Sequence, residues 1–399
     1  MLAHGKTVVA AISCYMAVKN GYQASIMAPT AILATQHYLE LKGYFTKLGI
    51  NVELITSANT KKQKEEIVEK LQDGTINILI GTHAIIEENI KFKNLALVVT
   101  DEQHRFGVNQ RIKLASKGSS VETLVMSATP IPRSLAIILY GDLDISIIDE
   151  LPKGRIKIKT CIATNMQEQR VNNFVKSQIK SGRQIYVVCP LVEDSEKLDL
   201  SSVQSIYEKY SNDFFKEYRV EYIHGKMPSS KKDEIMRRFK DGLVDILIST
   251  SVIEVGISVP NASVMIIEDA DRFGLASLHQ LRGRVGRGNY ESFCILKTNN
   301  KSSTSKERLK IMEKSSNGFE IAQKDLELRG PGDFFGIRQS GLPEFKIADL
   351  IKDMQVLKLS KLAVDELLKN DTNLDSKENI LIKQKLLKMY SYIWNNLGM

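Results

Sequence analysis

The chain of 399 residues contains few cysteines and no long apolar run. The cysteines form no Cys-x-x-Cys pair, so we expect neither a disulfide framework nor a zinc site. They lie far apart, at Cys14, Cys161, Cys189 and Cys294. No apolar run approaches the roughly 18 residues of a membrane helix, and we expect no membrane partner. The first residues lack the charged-then-apolar order of a signal peptide, so a reducing cytoplasm is the expected compartment.

Glycine and proline are also scarce, at 24 and 9 residues, which excludes collagen-like and linker-rich chains. Hydrophobic residues make up 43% of the sequence, enough to exclude a disordered chain. At this length we expect about two to three domains. The formal net charge of +8 permits a polyanionic partner without requiring one, because lysine and arginine are interspersed with aspartate and glutamate.

Short β-branched runs alternate with helical segments in two successive series, a pattern typical of parallel α/β domains. Runs such as 97–99 lack polar–apolar alternation, which predicts strands buried on both faces. A polar stretch with proline and glycine at 150–155 separates the two series, and helical periodicity replaces the alternation after them. We predict one α/β lobe at 1–152, a second at 153–300, and helices at 301–399.

Two segments of the first lobe carry residues suited to nucleotide chemistry. Gly5-Lys6-Thr7 opens a helical stretch, as in loops where backbone N–H groups, a lysine and a hydroxyl hold phosphates and Mg²⁺. Asp101 and Glu102 follow an apolar run, where one carboxylate could hold Mg²⁺ and the other could polarise water. The alternatives are a surface turn before a helix for the first segment and a solvated turn for the second.

The second lobe contains a segment at 280–288 that interleaves three arginines with three glycines after Gln280. Arg284 and Arg287 lie three residues apart and would share one helix face. Arginines from a second domain can stabilise the charge on a transferred phosphoryl group. A generic phosphate or nucleic-acid patch is the alternative.

Hydroxyl clusters follow two further apolar runs. The cluster at 127–129 could couple one site to another, and the cluster at 249–251 could contact a phosphodiester backbone. Ordinary turn chemistry is the alternative for both. His104 and His224 lie near the predicted site, but the histidines show no metal-ligand spacing.

The order of these segments resembles that of superfamily 2 helicases. The matching series is Gly-Lys-Thr at 5–7, Ala-Pro-Thr at 28–30, Gly-Thr-His at 81–83, Asp-Glu-Gln-His at 101–104, Ser-Ala-Thr-Pro at 127–130, Thr250 to Gly256, and Gln-x-x-Gly-Arg-x-Gly-Arg at 280–287. Asp-Glu-Gln-His-Arg-Phe-Gly-Val at 101–108 and Asp-Leu-Glu-Leu-Arg-Gly-Pro-Gly at 325–332 are similar to the RecG family of branched-DNA helicases. The resemblance covers about residues 5–345. It implies two tandem RecA-like parallel-sheet lobes, a helical hairpin and a helical tail.

The resemblance also implies an ATP-dependent DNA helicase that uses ATP and Mg²⁺ on stalled forks and Holliday junctions, in recombination and repair. The implied catalytic residues are Asp101, Glu102, Gln280, Arg284 and Arg287. The nucleotide would be held by Gly5, Lys6, Thr7 and Gly256, and Mg²⁺ by Thr7 and Asp101. DNA binding and coupling would involve Pro29, Thr30, Thr82, His104, Ser127, Thr129, Thr250, Arg329 and Gln339. The partner would be branched or duplex DNA, and we expect a monomer.

This sequence departs from the family pattern at its start. RecG proteins carry an N-terminal wedge domain that these residues do not include, and Ala3 and His4 stand where the family's phosphate loop has glycine and serine. We therefore expect a fragment of a RecG protein with impaired ATP affinity. Two alternatives stay open: a catalytically impaired DNA-binding remnant, and a double-stranded DNA translocase resembling the transcription-repair coupling factor Mfd.

Overall fold

The computed structural model describes residues 5–102, 108–127, 144–148, 156–190, 196–250, 259–335 and 353–397. Four predicted site residues lie outside these ranges, namely His104, Thr129, Gly256 and Gln339. The chain divides into two compact units, one of residues 1–131 with 146–325 and one of residues 132–145 with 326–399. The first unit contains two separate sheets.

The first sheet has five parallel strands in the order β2-β3-β1-β4-β5. Its elements along the chain are α1 (Lys6–Lys19), β1 (Gln23–Met27), α2 (Ala31–Phe45), β2 (Val52–Ile55), α3 (Lys61–Gln72), β3 (Ile78–Gly81), β4 (Leu95–Asp101), α4 (Val108–Ala115) and β5 (Glu122–Met126). β1 lies in the middle and pairs with β4, with Met27 opposite Thr100. The carboxyl ends of these two strands therefore meet at one edge of the sheet.

Burial explains why these segments are strands. Every residue of β1 and β3 is buried, as expected for a parallel sheet covered by helices on both faces. Ala10 of α1 and Leu33 of α2 pack against Ile26 on one face. Ile67 and Leu71 of α3 belong to the core on the other face.

The second sheet has six parallel strands in the order β6-β11-β10-β7-β9-β8. Its elements are β6 (Lys159–Ala163), α5 (Glu168–Lys180), β7 (Gln184–Cys189), α6 (Glu196–Lys209), β8 (Val220–Ile223), α7 (Ser229–Lys240), β9 (Ile246–Thr250), β10 (Ala262–Ile267), α8 (Leu275–Arg282) and β11 (Phe293–Lys297). All residues of β7, β9 and β10 are buried. The predicted α/β fold of two parallel-sheet lobes followed by helices is confirmed.

The described helices beyond the second sheet are α9 (Ser303–Lys314), α10 (Gly318–Phe335), α11 (Met354–Asn370) and α12 (Ile380–Leu397). Leu309 and Met312 of α9 and Ile321 of α10 belong to the core of the second lobe. In the second unit, Asp371 at the end of α11 accepts the backbone N–H of Ser376. No helix within the described ranges has the length and apolar character needed to span a membrane. The domain boundaries at residues 152 and 300 stay predictions.

Candidate functional site

The predicted phosphate loop ends in the first turn of α1. Gly5 precedes this helix with φ of 77°, a left-handed conformation that favours glycine. The backbone N–H groups of a first turn have no partner inside the helix and form its positive end, so they suit an anion such as phosphate. Thr7 is buried in the same turn, where the resemblance implies a ligand of Mg²⁺.

The Lys6 side chain brings a charge to this turn. Its Nζ atom is buried and forms no hydrogen bond with any residue in the described part of the chain. Burial lowers the pKa of Lys6, although the negative charges of Asp101 and Glu102 oppose this effect. A buried ammonium without hydrogen bonds costs stability, and phosphate oxygens would supply the acceptors it needs. The residues present therefore fit a nucleotide phosphate.

The Asp101 carboxylate ends β4 and is 1% exposed. Its Oδ2 lies 2.9 Å from His37 Nε2, and its Oδ1 accepts the backbone N–H of Glu102 at 3.0 Å. Burial by itself would raise the pKa of Asp101, but the hydrogen bond from His37 and the charges of His37 and Lys6 outweigh burial and hold this pKa below its usual value. The carboxylate is therefore ionised at neutral pH, as a Mg²⁺ ligand must be.

Glu102 has φ of 53°, a left-handed conformation that is rare for a residue with a side chain. Such backbone strain persists only where the surrounding structure enforces it, and it concentrates at functional sites. The residue is half-buried and carries part of the charge that acts on Lys6. Sequence and geometry thus place two carboxylates and one buried lysine at the same edge of the first sheet.

The arginine segment of the second lobe begins on α8 and continues beyond it. Gln280 lies on the helix, which ends at Arg282, and Arg284 and Arg287 follow in an irregular turn. The prediction that Arg284 and Arg287 share a helix face is therefore wrong. Gly286 explains the turn, because its φ is 74° and an added Cβ would lie 2.8 Å from Ile158 Cγ1.

Arg284 and Arg287 nevertheless act on a common neighbour. Burial raises the pKa of the Tyr186 hydroxyl on β7, and the positive charges of both arginines oppose that rise. Both side chains are half-buried. A guanidinium group is suited to bind an oxyanion, because its planar donors match the geometry of charged oxygens.

Arg282, which the sequence did not distinguish from the other two arginines, has a structural position. It is 4% exposed and donates from Nη1 to the backbone carbonyls of Met312 at 2.7 Å and Ser315 at 2.8 Å. Its Nη2 lies 3.0 Å from His279 Nδ1. These carbonyls belong to the end of α9, so Arg282 caps that helix and fixes it to α8.

The predicted DNA-contact residues of the first lobe follow the ends of its strands. Pro29 and Thr30 are half-buried after β1, and the Thr30 side chain accepts the backbone N–H of Leu33 at 3.4 Å, which caps α2. Thr82 is buried after β3, and Ser127 is half-buried after β5. In the described structure these residues share the carboxyl edge of the sheet with Asp101.

Two further predicted residues lie elsewhere. Thr250 ends β9 of the second lobe, where its Oγ1 is buried and has no hydrogen-bond partner among the described residues. Arg329 lies within α10.

The described residues contain no group of three or more His, Cys, Asp or Glu side chains able to hold a metal ion. Mg²⁺ that arrives with a nucleotide needs only one or two carboxylates, because phosphate oxygens and water supply the other ligands.

His37 is the site residue that sequence reasoning missed. It lies on α2, 64 positions before Asp101, and its side chain is buried. A helical histidine followed by Tyr38 and Leu39 gives no local sign of a polar contact. The contact exists because β1 and β4 are neighbours, which only the sheet order reveals.

Three family descriptions match successive parts of the chain. Residues 3–138 match the DEAD/DEAH box helicase family, residues 156–289 match the helicase conserved C-terminal domain, and residues 315–396 match the C-terminal part of domain 3 of the ATP-dependent DNA helicase RecG. The ATP-dependent DNA helicase RecG of Bacillus subtilis is 49% identical over 384 residues, covering 96% of this chain and 56% of that protein. The RecG of Thermotoga maritima is 47% identical, covering 91% and 46%.

Solved structures agree with these relatives. A structure of RecG bound to a three-way DNA junction is 45% identical, with a TM-score of 0.73, and the match covers 89% of this chain and 46% of that one. A yeast Dbp5 bound to RNA and ADP BeF3 is 16% identical with a TM-score of 0.54, which shows a shared fold alone. The chain spans about half the length of the curated relatives it matches.

Proposed function

Because this chain belongs to the RecG family of DNA helicases along the length that it spans, we propose that it is the motor of such a helicase, an ATP hydrolase that acts on branched or duplex DNA. The single observation that carries the proposal is the buried Lys6 ammonium, which lacks a hydrogen bond in the described structure and lies within the electrostatic reach of Asp101 and Glu102. This arrangement suits the phosphates of Mg²⁺–ATP.

In this proposal each lobe contributes different groups. Lys6 would contact the β- and γ-phosphates, and Thr7 and Asp101 would hold the Mg²⁺. Bound Mg²⁺ neutralises charge on the transferred phosphoryl group. Glu102 would orient the attacking water and accept its proton. Gln280, Arg284 and Arg287 would complete the site from the second lobe, and Gly256 would approach the nucleotide.

DNA would lie along the strand ends of the two lobes. Pro29, Thr30, Thr82 and Thr250 would contact the phosphodiester backbone, as small hydroxyl side chains often do. His104, Ser127 and Thr129 would couple hydrolysis to DNA, and Arg329 and Gln339 would belong to the translocation element. The three-way junction held by the related RecG structure motivates a branched substrate for this chain. We further propose that the protein is a monomer and works in the cytoplasm. The related RecG proteins come from bacteria, which keep their DNA in that compartment.

The test is ATP hydrolysis by the purified chain with and without forked DNA. We expect DNA to stimulate turnover, and we expect Glu102→Gln to lower turnover by about 10²–10⁴-fold while nucleotide affinity stays. Glu66→Gln, an exposed site on α3, is the matched control. A folded wild-type chain that shows no turnover with forked DNA would overturn the proposal, and equal loss of binding and turnover in Glu102→Gln would contradict the role of that residue.

DNA binding gives a second, independent readout. Protein groups that track phosphates release counterions, so affinity for forked DNA should fall steeply as salt rises. A flat response to salt would argue against contacts along the DNA backbone.

A further inference from the structure

His37 is a buried polar residue that the proposed mechanism does not use. It lies on α2, seven residues after Thr30, and is 3% exposed. Its Nε2 approaches Asp101 Oδ2 at 2.9 Å. Since an ionised carboxylate can only accept, His37 donates this hydrogen bond.

Two donors from different elements fix the Asp101 carboxylate. His37 on α2 holds Oδ2, and the backbone N–H of Glu102 holds Oδ1 at 3.0 Å. A carboxylate has about four lone-pair sites, so two donors leave acceptor capacity for a metal ion. The carboxylate is thus oriented without being saturated.

The relation of Asp101 to Lys6 is the unusual feature. The two groups carry opposite charges and attract each other within a buried region. In such surroundings a direct ion pair would be strongly favoured. Yet Lys6 Nζ makes no hydrogen bond to any described residue, and Asp101 Oδ2 is held by His37 instead.

We propose that His37 is a positioning residue that holds Asp101 Oδ2 and so prevents the Asp101 carboxylate from closing onto Lys6. The lysine then stays available to phosphate, and the carboxylate stays available to Mg²⁺. This inference rests on the proposed function, because it concerns the same nucleotide site.

Without the histidine, Asp101 turns toward Lys6 and the two groups neutralise each other. Loss of His37 then weakens nucleotide binding even without Mg²⁺, since Lys6 is sequestered. It also removes the gain in affinity that Mg²⁺ provides. Groups that orient a metal ligand typically contribute 10–100-fold to metal affinity.

The experiment measures the affinity for a fluorescent ATP analogue, once in EDTA and once in MgCl₂. His37→Phe keeps the ring volume but loses the donor, and His37→Gln keeps a donor near the position of Nε2. We expect His37→Phe to lose about 10-fold or more of the affinity gained from Mg²⁺ and to bind more weakly in EDTA. His37→Gln should recover both. Glu40→Gln, exposed on the same helix, should match the wild type.

The double variant His37→Phe with Asp101→Asn separates positioning from general damage to the fold. An amide does not pair with Lys6 as a carboxylate does, so binding in EDTA should return to that of Asp101→Asn alone, while the Mg²⁺ gain stays absent. A merely structural role predicts no such recovery. If His37→Phe does not fold, His37→Gln is compared with His37→Asn instead. Only the longer glutamine amide reaches the position of Nε2, so His37→Gln should keep the wild-type affinities and His37→Asn should lose them.

The outcomes are distinct. If the folded wild-type chain does not bind the analogue with Mg²⁺, the proposed function fails and this inference fails with it. If the wild type binds and His37→Phe keeps both the EDTA affinity and the Mg²⁺ gain, this inference alone is overturned. Weak EDTA binding that Asp101→Asn does not restore would also overturn it.

Discussion

The first and second lobes hold the charged groups of the candidate site in different ways. In the first lobe, Lys6 and Asp101 are buried, and their pKa values are lowered by burial and by hydrogen bonding respectively. In the second lobe, Arg284 and Arg287 are half-buried, and a guanidinium keeps its charge at every working pH. The fold therefore shifts the protonation equilibria of Lys6 and Asp101, whereas residue type alone sets the charge of the two arginines.

A similar difference divides the arginine segment itself. Arg282 is buried and bound to two carbonyls of α9, while Arg284 and Arg287 lie beyond the end of α8. Three residues of one type within six positions therefore serve two purposes. Burial and position relative to α8 and α9, and not residue type, distinguish the buried Arg282 from the half-buried Arg284 and Arg287.

The sharpest test of this difference is Arg287→Ala. Removal of an arginine that stabilises a phosphoryl-transfer transition state should lower turnover by about 10³-fold or more. Affinity for forked DNA should change far less, and Arg272→Ala, exposed on the same lobe, is the control. Steady-state ATPase assays and DNA titrations measure the two effects. Parallel losses would instead indicate a general nucleic-acid patch.

Arg282→Met should act on stability. The change leaves two backbone carbonyls at the end of α9 without their donor, and each unsatisfied buried group costs about 1–3 kcal/mol. We expect the free energy of unfolding in urea to fall by about 2–4 kcal/mol. Arg284→Met should cost clearly less, because that side chain is half-buried. An equal loss in both variants would remove the distinction between the two arginines.

Lys6→Met should have the smallest effect, and it should raise the free energy of unfolding where Arg282→Met lowers it. It removes a buried ammonium that lacks hydrogen bonds in the described structure, so the nucleotide-free protein should gain about 1 kcal/mol in urea at pH 7. Between the lowered pKa of Lys6 and its ordinary pKa of 10.5, the unfolded chain binds more protons than the folded one.

Wild-type stability therefore rises with pH in that window, and the advantage of Lys6→Met should shrink as the pH approaches 10.5. Lys19→Met, at the exposed end of α1, should change stability by less than about 0.5 kcal/mol at either pH. If the stability gained by Lys6→Met does not depend on pH, the charge of Lys6 is not the cause of that gain.

Much of this architecture can be predicted from the sequence, because its signals are local. The buried strand β4 followed by Asp101 and Glu102 depends on an apolar run and the residues after it, and both are visible in the sequence. The contact between His37 and Asp101 depends on the order of strands in a sheet, so no local pattern contains it. The helix expected through Arg284 and Arg287 was wrong because α8 ends at Arg282 with Gly283 as its C-cap, and Gly286 beyond it has a left-handed φ of 74°. Both glycines are visible in the sequence.

The contact between Arg282 and the end of α9 has a practical consequence for protein engineering. A piece of this protein cut after the last strand would keep the whole second sheet but lose the carbonyls of Met312 and Ser315. Its buried guanidinium would then lose two backbone acceptors, and the core positions filled by Leu309 and Met312 would be open to water. A transplantable form of the second lobe therefore extends beyond Ser315 and includes the core residue Ile321, and a chimera joined before Ser315 should express poorly.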